Sequence, residues 1–274
     1  MTGAGIRKPV VAGYFYPQEA AALKRSIENF IPAGNIVKKN ALGCVLPHAG
    51  YVYSASVAVE TAAGIKPKNK IILLGPNHTG IGETFSIMTE GAWQTPLGII
   101  EIDSPLAKKI LQSCRYLRND ARAHAGEHSL EVELPILQFF FKDFQIVPIA
   151  FLSDELESLK EIGKEIAAVI IASGLLDSTL LVASSDMTHY EPQKDAQEKD
   201  AAAIEAILEL NPDKLMQKIR QLNITMCGYA PVIVMLSAAK ALGAIKGSLI
   251  KYLTSGDATG DKTSVVGYAG ITIA

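Results

Sequence analysis

Residues 42–78 read LGCVLPHAGYVYSASVAVETAAGIKPKNKIILLGPNH, with an apolar run at each end and a segment of helical periodicity between them. The runs Leu42–Leu46 and Lys70–Leu74 are short and continuous, as expected of strands that are buried on both faces. The segment Ser54–Ala63 has the spacing of apolar residues that is typical of a helix. A strand, a helix and a second strand in this order predict a parallel sheet covered by helices.

The same alternation continues along the rest of the chain. Further strands are predicted at Thr84–Met88, Phe144–Ala150, Thr179–Ala183, Leu249–Thr254 and Ser264–Ile273. Further helices are predicted at Ser104–Cys114, Ser129–Phe140, Glu155–Ala172, Lys194–Leu210, Pro212–Gln221 and Tyr229–Leu242. No repeat or long linker divides the 274 residues. We therefore predict one α/β domain over residues 1–274, with a mostly parallel central sheet flanked by helices on both faces. The last two strands are candidates for antiparallel additions at one edge.

The charge balance excludes some classes of partner. The chain has 26 basic and 28 acidic residues, a net charge of −2 and no basic block. This balance gives no electrostatic reason to expect a nucleic acid or an anionic membrane surface as a partner of the chain. Ser173-Gly174 and Asp177-Ser178 interrupt the long apolar stretch 166–183, which predicts a helix followed by a buried strand rather than a membrane span. A small-molecule substrate is the expected partner.

Cysteine usage and the amino terminus indicate the compartment. The three cysteines, Cys44, Cys114 and Cys227, lack C-x-x-C spacing, so they form neither a disulfide framework nor a zinc ribbon. The first 17 residues contain no apolar core of signal-peptide length. A cytoplasmic location is therefore expected.

Three of the five histidines follow predicted strands, namely His48, His78 and His189. The loops that leave the carboxyl ends of parallel strands converge on one crevice, where ligands bind. Imidazole is a common metal ligand and also an acid–base group near neutral pH. Each histidine taken singly is explained equally well as a turn residue, but together they predict a shared pocket. His189 is interpreted as either a third ligand or a general base.

Asp186 and Cys227 are two further candidates for this pocket, and each has a second interpretation. Asp186 is either a pocket carboxylate or the N-cap of the segment that follows it. Cys227 precedes a predicted helix that begins near Tyr229, and a helix N-terminus lowers the pKa of a thiol. It is therefore predicted to be a thiolate that binds metal or acts as a nucleophile, or else to be a small buried apolar residue. Cys44 and Cys114 are predicted to be buried.

The segment 124–133 is rich in histidine and glutamate but is not the H-E-x-x-H motif of metalloproteases. Its acidic residues are explained by a solvated helix start, and His124, Glu127 and His128 are retained as candidate pocket residues. No phosphate-binding loop and no dinucleotide fingerprint occurs in the sequence. The polar stretch 255–261 is predicted to be a loop at the rim of the pocket.

Eight short motifs, in this order, resemble the Memo family from near residue 9 to near residue 270. They are Ala12-Gly13-Tyr14-Phe15-Tyr16-Pro17, Pro47-His48-Ala49-Gly50-Tyr51, Gly75-Pro76-Asn77-His78, Thr95-Pro96-Leu97-Gly98, Glu127-His128-Ser129-Leu130-Glu131, Ser184-Ser185-Asp186, Cys227-Gly228 and Ser255-Gly256-Asp257. The resemblance implies a fold like that of class III extradiol dioxygenases, which hold non-haem Fe(II) with two histidines and a carboxylate.

Carried over by position, the resemblance implies that His48, His78 and Cys227 are metal ligands. It makes His189 the acid–base residue and Asp186 a polar pocket residue with a catalytic role. A thiolate replaces the carboxylate of the dioxygenases, which keeps the charge but makes the site softer. The resemblance also implies a functional link to radical-SAM and AMMECR-type proteins.

Three functional hypotheses follow. The first is a redox enzyme with iron, as Fe(II), or with copper, acting on a small molecule. The second places zinc on the same ligands and makes the protein a hydrolase, because two histidines, a cysteine and a water form a known catalytic zinc set. The third is a binding or scaffold protein that retains the pocket without turnover.

Overall fold

Strands and helices alternate along residues 5–274, the part of the chain that the computed structural model describes. The strands are β1 (Ile6–Arg7), β2 (Gly43–Leu46), β3 (Lys70–Pro76), β4 (Phe85–Ile87), β5 (Ala92–Thr95), β6 (Gly98–Glu101), β7 (Arg118–Asn119), β8 (Gln145–Phe151), β9 (Thr179–Ser184), β10 (His189–Glu191), β11 (Gly247–Thr254) and β12 (Val265–Ile273). The α-helices are α1 (Ala20–Glu28), α2 (Tyr51–Ala63), α3 (Ser104–Ser113), α4 (Arg122–Ala125), α5 (Ser129–Phe140), α6 (Leu156–Ala172), α7 (Gln193–Leu208), α8 (Pro212–Gln221), α9 (Tyr229–Ala241) and α10 (Ser255–Thr259).

A nine-stranded sheet forms the centre of the molecule. Its strand order is β10-β12-β2-β9-β3-β8-β4-β7, and β11 pairs with β12. The four central strands β2, β9, β3 and β8 are parallel, while β12 joins β2 and β4 joins β8 in antiparallel fashion. The predicted α/β class is confirmed, and β11 and β12 are the expected antiparallel additions. The antiparallel direction of β4 was not predicted.

The register of the central strands aligns their carboxyl ends. Leu46 of β2 lies opposite Ser184 of β9, and Leu74 of β3 lies opposite Ala183. Three neighbouring strands therefore end at almost the same level. The loops that follow them leave the sheet side by side, as required for residues distant in sequence to meet.

Helices cover both faces of the sheet, as predicted. On one face α2 and α5 pack against the strands, and α1 packs on α5. On the other face α9 lies across β2, β9, β3 and β8, with α6 and α8 against it. Ala230–Ala239 of α9 are buried all round, as expected of a helix without a polar face. Gly163 lets α6 approach closely, because a Cβ there would lie 2.5 Å from the carbonyl oxygen of Val234.

Several elements differ from the prediction because local chemistry overrides periodicity. Strands β1, β5 and β6 form a separate small sheet, and a two-residue strand such as β1 is too short to leave a pattern. Helix α2 starts three residues before the predicted Ser54. The stretch 255–261, predicted to be a loop, begins with α10, where Thr254 and Asp257 form a capping box.

The long apolar stretch 166–183 is divided as predicted. Helix α6 ends at Ala172 and the buried strand β9 begins at Thr179. Within residues 5–274, no helix combines the length and the apolar character that crossing a membrane requires.

Candidate metal centre

Three neighbouring parallel strands each deliver one side chain to the same cavity. His48, Asp186 and His78 each come two residues after the end of their strand, β2, β9 and β3 respectively. All three line a cavity of about 1040 Å³ at the carboxyl edge of the sheet. His189, from β10, and Cys227, from the loop before α9, line the same cavity. The structure thus brings these five residues to one cavity.

His48 lies at the buried floor of the cavity. Its Nδ1 is 2.8 Å from Ser184 Oγ, and its Nε2 is 3.3 Å from Cys227 Sγ. Burial, together with the neighbouring His78 and His128, lowers the pKa of His48 well below its ordinary value. The ring is therefore neutral at pH 7, which is the form that binds a metal.

His78 is oriented by a buried carboxylate. Its Nδ1 is 2.9 Å from Glu127 Oε1, and its backbone N–H donates to Glu127 Oε2. The N–H of Ser129 also donates to this carboxylate, at 2.8 Å. Burial opposes the ionisation of Glu127, but the hydrogen bonds from His78 and Ser129 outweigh it and lower the pKa to about 2. With Nδ1 engaged in this way, Nε2 of His78 remains as the nitrogen for a ligand.

Cys227 reaches the floor because the next residue is a glycine. A Cβ at Gly228 would lie 2.3 Å from the carbonyl oxygen of Ser184, so only glycine lets the chain pass the end of β9. The N–H of Gly228 donates to Ser185 Oγ at 3.0 Å, which fixes this approach. The Cys227 sulfur then lies beside His48 and above the carbonyl oxygen of Asp186.

Without a bound cation, the surroundings of Cys227 favour the protonated thiol over the thiolate, and a metal-bound thiolate stays a prediction. Burial raises the pKa of the Cys227 thiol above its ordinary value, and the nearby Asp186 adds to this effect. Helix α9 begins at Tyr229, as predicted, and Cys227 precedes it by two residues. A bound metal ion is the charge that would make this cysteine anionic. Cys44 and Cys114 are buried, as predicted.

The three side chains fit a single transition-metal ion. One donor atom from each of His48, His78 and Cys227 lies within 4.8 Å of the others. Bonds of about 2.0–2.3 Å place tetrahedral donors roughly 3.3–3.8 Å apart, so only a small closure is needed. In addition, Ser184 and Glu127 hold the Nδ1 atoms of the two histidines, as outer partners of metal-binding histidines do.

A second group of donors overlaps the first. His78, Glu127 and His128 also lie within 4.8 Å of one another. The Glu127 carboxylate, however, already accepts three hydrogen bonds from His78 and Ser129. Because these bonds use three of its roughly four lone-pair sites, the set with Cys227 suits a metal better.

His189 lies beside the floor with one ring nitrogen fixed. Its Nδ1 is 2.9 Å from the carbonyl oxygen of Thr225, so Nδ1 carries the proton and donates. Its backbone N–H donates to Thr225 Oγ1 at 2.7 Å. Burial lowers the pKa of His189 below its ordinary value. The remaining Nε2 is therefore an unprotonated acceptor, as a general base requires.

Asp186 is a buried pocket carboxylate and not an N-cap, because the short strand β10 follows it rather than a helix. Its Oδ1 accepts from the backbone N–H of His48 at 2.9 Å and of Ala49 at 3.3 Å. Burial raises the pKa of Asp186 to about 7, against the effect of these two hydrogen bonds. The group therefore ties the end of β9 to the loop that carries His48.

The segment 124–133 contributes more than the sequence indicated. His128 lines the cavity, where its ring stacks on His78 with centroids 4.8 Å apart. Glu133 Oε1 is 2.8 Å from Ser184 Oγ and so supports His48 from behind. The predicted solvated helix start is wrong, because Glu127, Glu131 and Glu133 are fully buried. No periodicity reveals this, since each glutamate is buried through a polar partner distant in sequence.

Two other residues of this segment lie away from the metal centre. Glu131 forms a buried ion pair with Arg7 at 2.6 Å and accepts from Tyr16 and the backbone of Val10 and Val11. It thereby anchors the amino-terminal segment that closes one side of the cavity. His124, the third candidate of this segment, is buried against Trp93 and does not line the cavity.

Comparison with known proteins agrees with this architecture. Residues 7–272 match the model of the Memo-like protein family. A MEMO1 family protein of Methanopyrus kandleri is 41% identical, covering 97% of this chain and 98% of its own length. MEMO1 family proteins of Nitrosopumilus maritimus and Aquifex aeolicus are 42% and 43% identical, each with the same coverage.

A solved structure shares the fold. The crystal structure of the uncharacterized protein JW3007 from Escherichia coli K12 superposes with a TM-score of 0.57, covering 84% of this chain and 98% of that one. The two sequences are 13% identical. This likeness concerns the fold alone.

Proposed function

The chain belongs to the Memo-like protein family, and from that premise we propose that it is an enzyme that holds one transition-metal ion on His48, His78 and Cys227. The observation that carries the proposal is the convergence of the three donor atoms within 4.8 Å, with both histidine Nδ1 atoms held by outer partners. The three donor atoms come from the loop after β2, the loop after β3 and the loop before α9, which meet at one place.

We assign iron, as Fe(II), as the first choice of metal and copper as the second. When bound, such an ion supplies redox chemistry and an open coordination position for a small molecule. The donor set is two imidazoles and one thiol, and imidazole suits iron, copper and zinc alike. The resemblance to dioxygenases with two histidines and one anionic ligand favours iron.

The chain's own residues supply the proton chemistry. His189 lines the cavity, and its Nε2 serves as the unprotonated base, since the carbonyl oxygen of Thr225 holds the proton on Nδ1. A substrate held in the cavity can give its proton to this nitrogen. Asp186 has a supporting catalytic role, because it holds the backbone of His48 and Ala49 in place.

A second candidate function is a zinc-dependent hydrolase. The observation that favours it is the donor set itself, since two histidines and one cysteine with a water are a known catalytic zinc site. The same His189 would then take the proton of a water molecule. The two proposals differ only in the metal and in the reaction that it supports.

We also propose a cytoplasmic location, because a reducing compartment keeps Cys227 free for a metal. The substrate is a small molecule, as the size of the cavity allows. A functional link to radical-SAM and AMMECR-type proteins remains part of this proposal and rests on the family resemblance alone.

The experiment is metal analysis of protein purified without oxygen and without affinity-column metal. Iron or copper near one ion per chain supports the redox enzyme, and zinc at that level supports the hydrolase. Cys227→Ala should lose the ion, whereas the matched control Cys114→Ala, at a buried cysteine outside the cavity, should keep it. Protein that arrives without metal and binds neither iron, copper nor zinc overturns both and leaves a non-catalytic binding protein.

A further inference from the structure

The wall of the metal cavity has an unusual charge composition. Among the described residues that line it there is no lysine and no arginine, while Asp186 and Asp261 contribute carboxyl groups. Apart from the histidines, an anionic substrate such as a phosphate ester would find no basic side chain on this wall, so a metal ion at the floor would be its main cationic partner. The wall instead suits a ligand that is neutral or positively charged.

Four tyrosines line this cavity, three of them exposed and Tyr268 buried. Tyr14 and Tyr190 are 88% and 78% exposed, and Tyr53 and Tyr268 also line the wall. Tyr268 lines the same cavity, and burial raises the pKa of its hydroxyl group, so this hydroxyl is uncharged at neutral pH. The faces of tyrosine rings attract cations, and the ionised carboxylate of Asp261 adds negative charge to the same cavity.

The backbone at Tyr190 is strained in a way that orients its ring. Tyr190 has φ of 60°, in the left-handed region that non-glycine residues avoid. It is the extra residue of an irregular pairing, because His189 pairs with Val266 and Glu191 with Val265. Neighbouring residues of a regular strand point to opposite faces, whereas His189 and Tyr190 both line the cavity. Asp143, Leu210 and Asn223 also have positive φ, but of these four residues Tyr190 alone lines the cavity, so its strain supports a hypothesis of function for this side chain.

We propose that the tyrosine rim, formed by Tyr14, Tyr53, Tyr190 and Tyr268, binds an organic cation, and that Tyr190 determines this specificity. The cationic group, an ammonium carried by the substrate, lies against the rings at the rim while the rest of the molecule extends toward the floor. This inference rests on the proposed function in taking the cavity as the substrate site. It requires no metal for the binding of the cation itself.

The test compares three probes of nearly equal shape. Choline carries a quaternary ammonium group, 3,3-dimethylbutan-1-ol replaces its nitrogen by carbon, and 3,3-dimethylbutanoate carries a negative charge. Binding is measured by NMR titration of the full-length protein as purified, and again after treatment with a chelator. Choline should bind at least about tenfold more tightly than the neutral alcohol, with the carboxylate weakest in the chelator-treated protein. Equal binding of choline and the alcohol, or tightest binding of the carboxylate to the chelator-treated protein, overturns the proposal.

Variants at Tyr190 distinguish the contribution of the aromatic ring to binding from that of the backbone conformation. Tyr190→Phe keeps the aromatic face and should keep the preference for choline. Tyr190→Asn keeps a residue that tolerates the left-handed conformation but removes the ring, so the preference should fall several-fold. A Tyr190→Asn protein that still prefers choline as strongly as the wild type contradicts the role of Tyr190.

The outcome is separable from that of the metal analysis. The choline preference is expected in the chelator-treated protein and also in Cys227→Ala, whose metal ligand is removed. If no metal binds but the preference for choline holds, the proposed enzyme fails and the cation site stands. If metal binds and no preference for choline is found, the cation site alone fails.

Discussion

The floor and the rim of the cavity are built in opposite ways. At the floor, His48 is buried and both of its ring nitrogens have neighbours within 3.3 Å, Ser184 Oγ on one side and Cys227 Sγ on the other. At the rim, Tyr14 and Tyr190 are largely exposed, and Tyr190 has a strained backbone. Hydrogen bonds to residues at the strand ends therefore fix the side chains of the floor. The exposed side chains of the rim can adapt to a ligand.

The floor is itself divided between two kinds of support. His78 has an ionised carboxylate behind it, because hydrogen bonds lower the pKa of Glu127 to about 2. His48 has a hydroxyl group behind it and then Glu133, whose pKa burial raises well above its ordinary value. His78 is thus hydrogen-bonded to an ionised carboxylate, whereas His48 is connected through Ser184 to a neutral carboxylic acid. The two are expected to respond differently to the same substitution.

The largest expected effect distinguishes the ligands of the floor from the base beside them. His48→Ala should abolish stoichiometric metal binding, since it removes a donor atom. His189→Ala should leave the metal bound while lowering any turnover by about a hundredfold or more. Metal content by mass spectrometry, measured on both variants side by side, checks this division. If His189→Ala loses the metal as fully as His48→Ala does, then His189 is a ligand.

A smaller effect is expected from the two buried glutamates, which form a matched pair. Glu127→Gln removes the charge behind His78 and should weaken metal binding by about ten- to a hundredfold. Glu133→Gln replaces a neutral acid by a neutral amide of the same shape and should change the affinity much less. Competition against a chromophoric chelator measures both. Equal losses in the two variants would contradict the assigned charge states.

Much of this arrangement was predictable from the sequence. The apolar runs that became β2, β3 and β9 predicted the parallel centre of the sheet, and the rule for strand ends then predicted that His48, His78 and His189 share one pocket. These features are local patterns followed by one topological rule. The metal-binding role of the residues is not tested by their proximity and stays a prediction.

The remainder depends on contacts that leave no local pattern. Glu127 and Glu133 look like residues of a solvated helix start until their partners His78 and Ser184 are known. The pKa of Cys227 depends on burial by the strand end that Gly228 approaches, and not on the helix that the sequence shows. Sequence patterns therefore do not predict which polar groups of the site are buried by partners distant in sequence.

An effect of moderate size concerns the reactivity of the floor cysteine. Because burial raises the pKa of the Cys227 thiol, its alkylation in metal-free protein at pH 7 should be several-fold slower than that of an exposed thiol with pKa near 8.5. The rate should rise as the pH rises, since the protonated form predominates at neutral pH. Bound metal should suppress the reaction further. The measurement is mass spectrometry of labelled peptides with time, with Cys44 and Cys114 as buried references. Fast labelling of Cys227 at pH 6 would contradict the raised pKa and would support the prediction of an anionic thiol.

The smallest expected effect measures the strain at the rim. In a regular strand, glycine is less stabilising than alanine by about 0.5–1 kcal/mol, because glycine loses more conformational freedom on folding. At Tyr190 the order should reverse, since a left-handed backbone costs alanine about 1–2 kcal/mol and costs glycine almost nothing. Tyr190→Gly should therefore exceed Tyr190→Ala in free energy of unfolding by up to about 1 kcal/mol.

The control for this reversal is an exposed position in an ordinary strand. Gln94 in β5 is exposed and pairs regularly with Ile99 of β6, so Gln94→Gly should be less stable than Gln94→Ala. Urea unfolding of the four variants gives both differences under identical conditions. The same sign at both positions would mean that Tyr190 is not strained, and the argument from strain to ligand binding at the rim would then lose its basis. Opposite signs would show that Tyr190 holds a costly conformation beside the cavity, which supports the argument from strain to ligand binding at the rim.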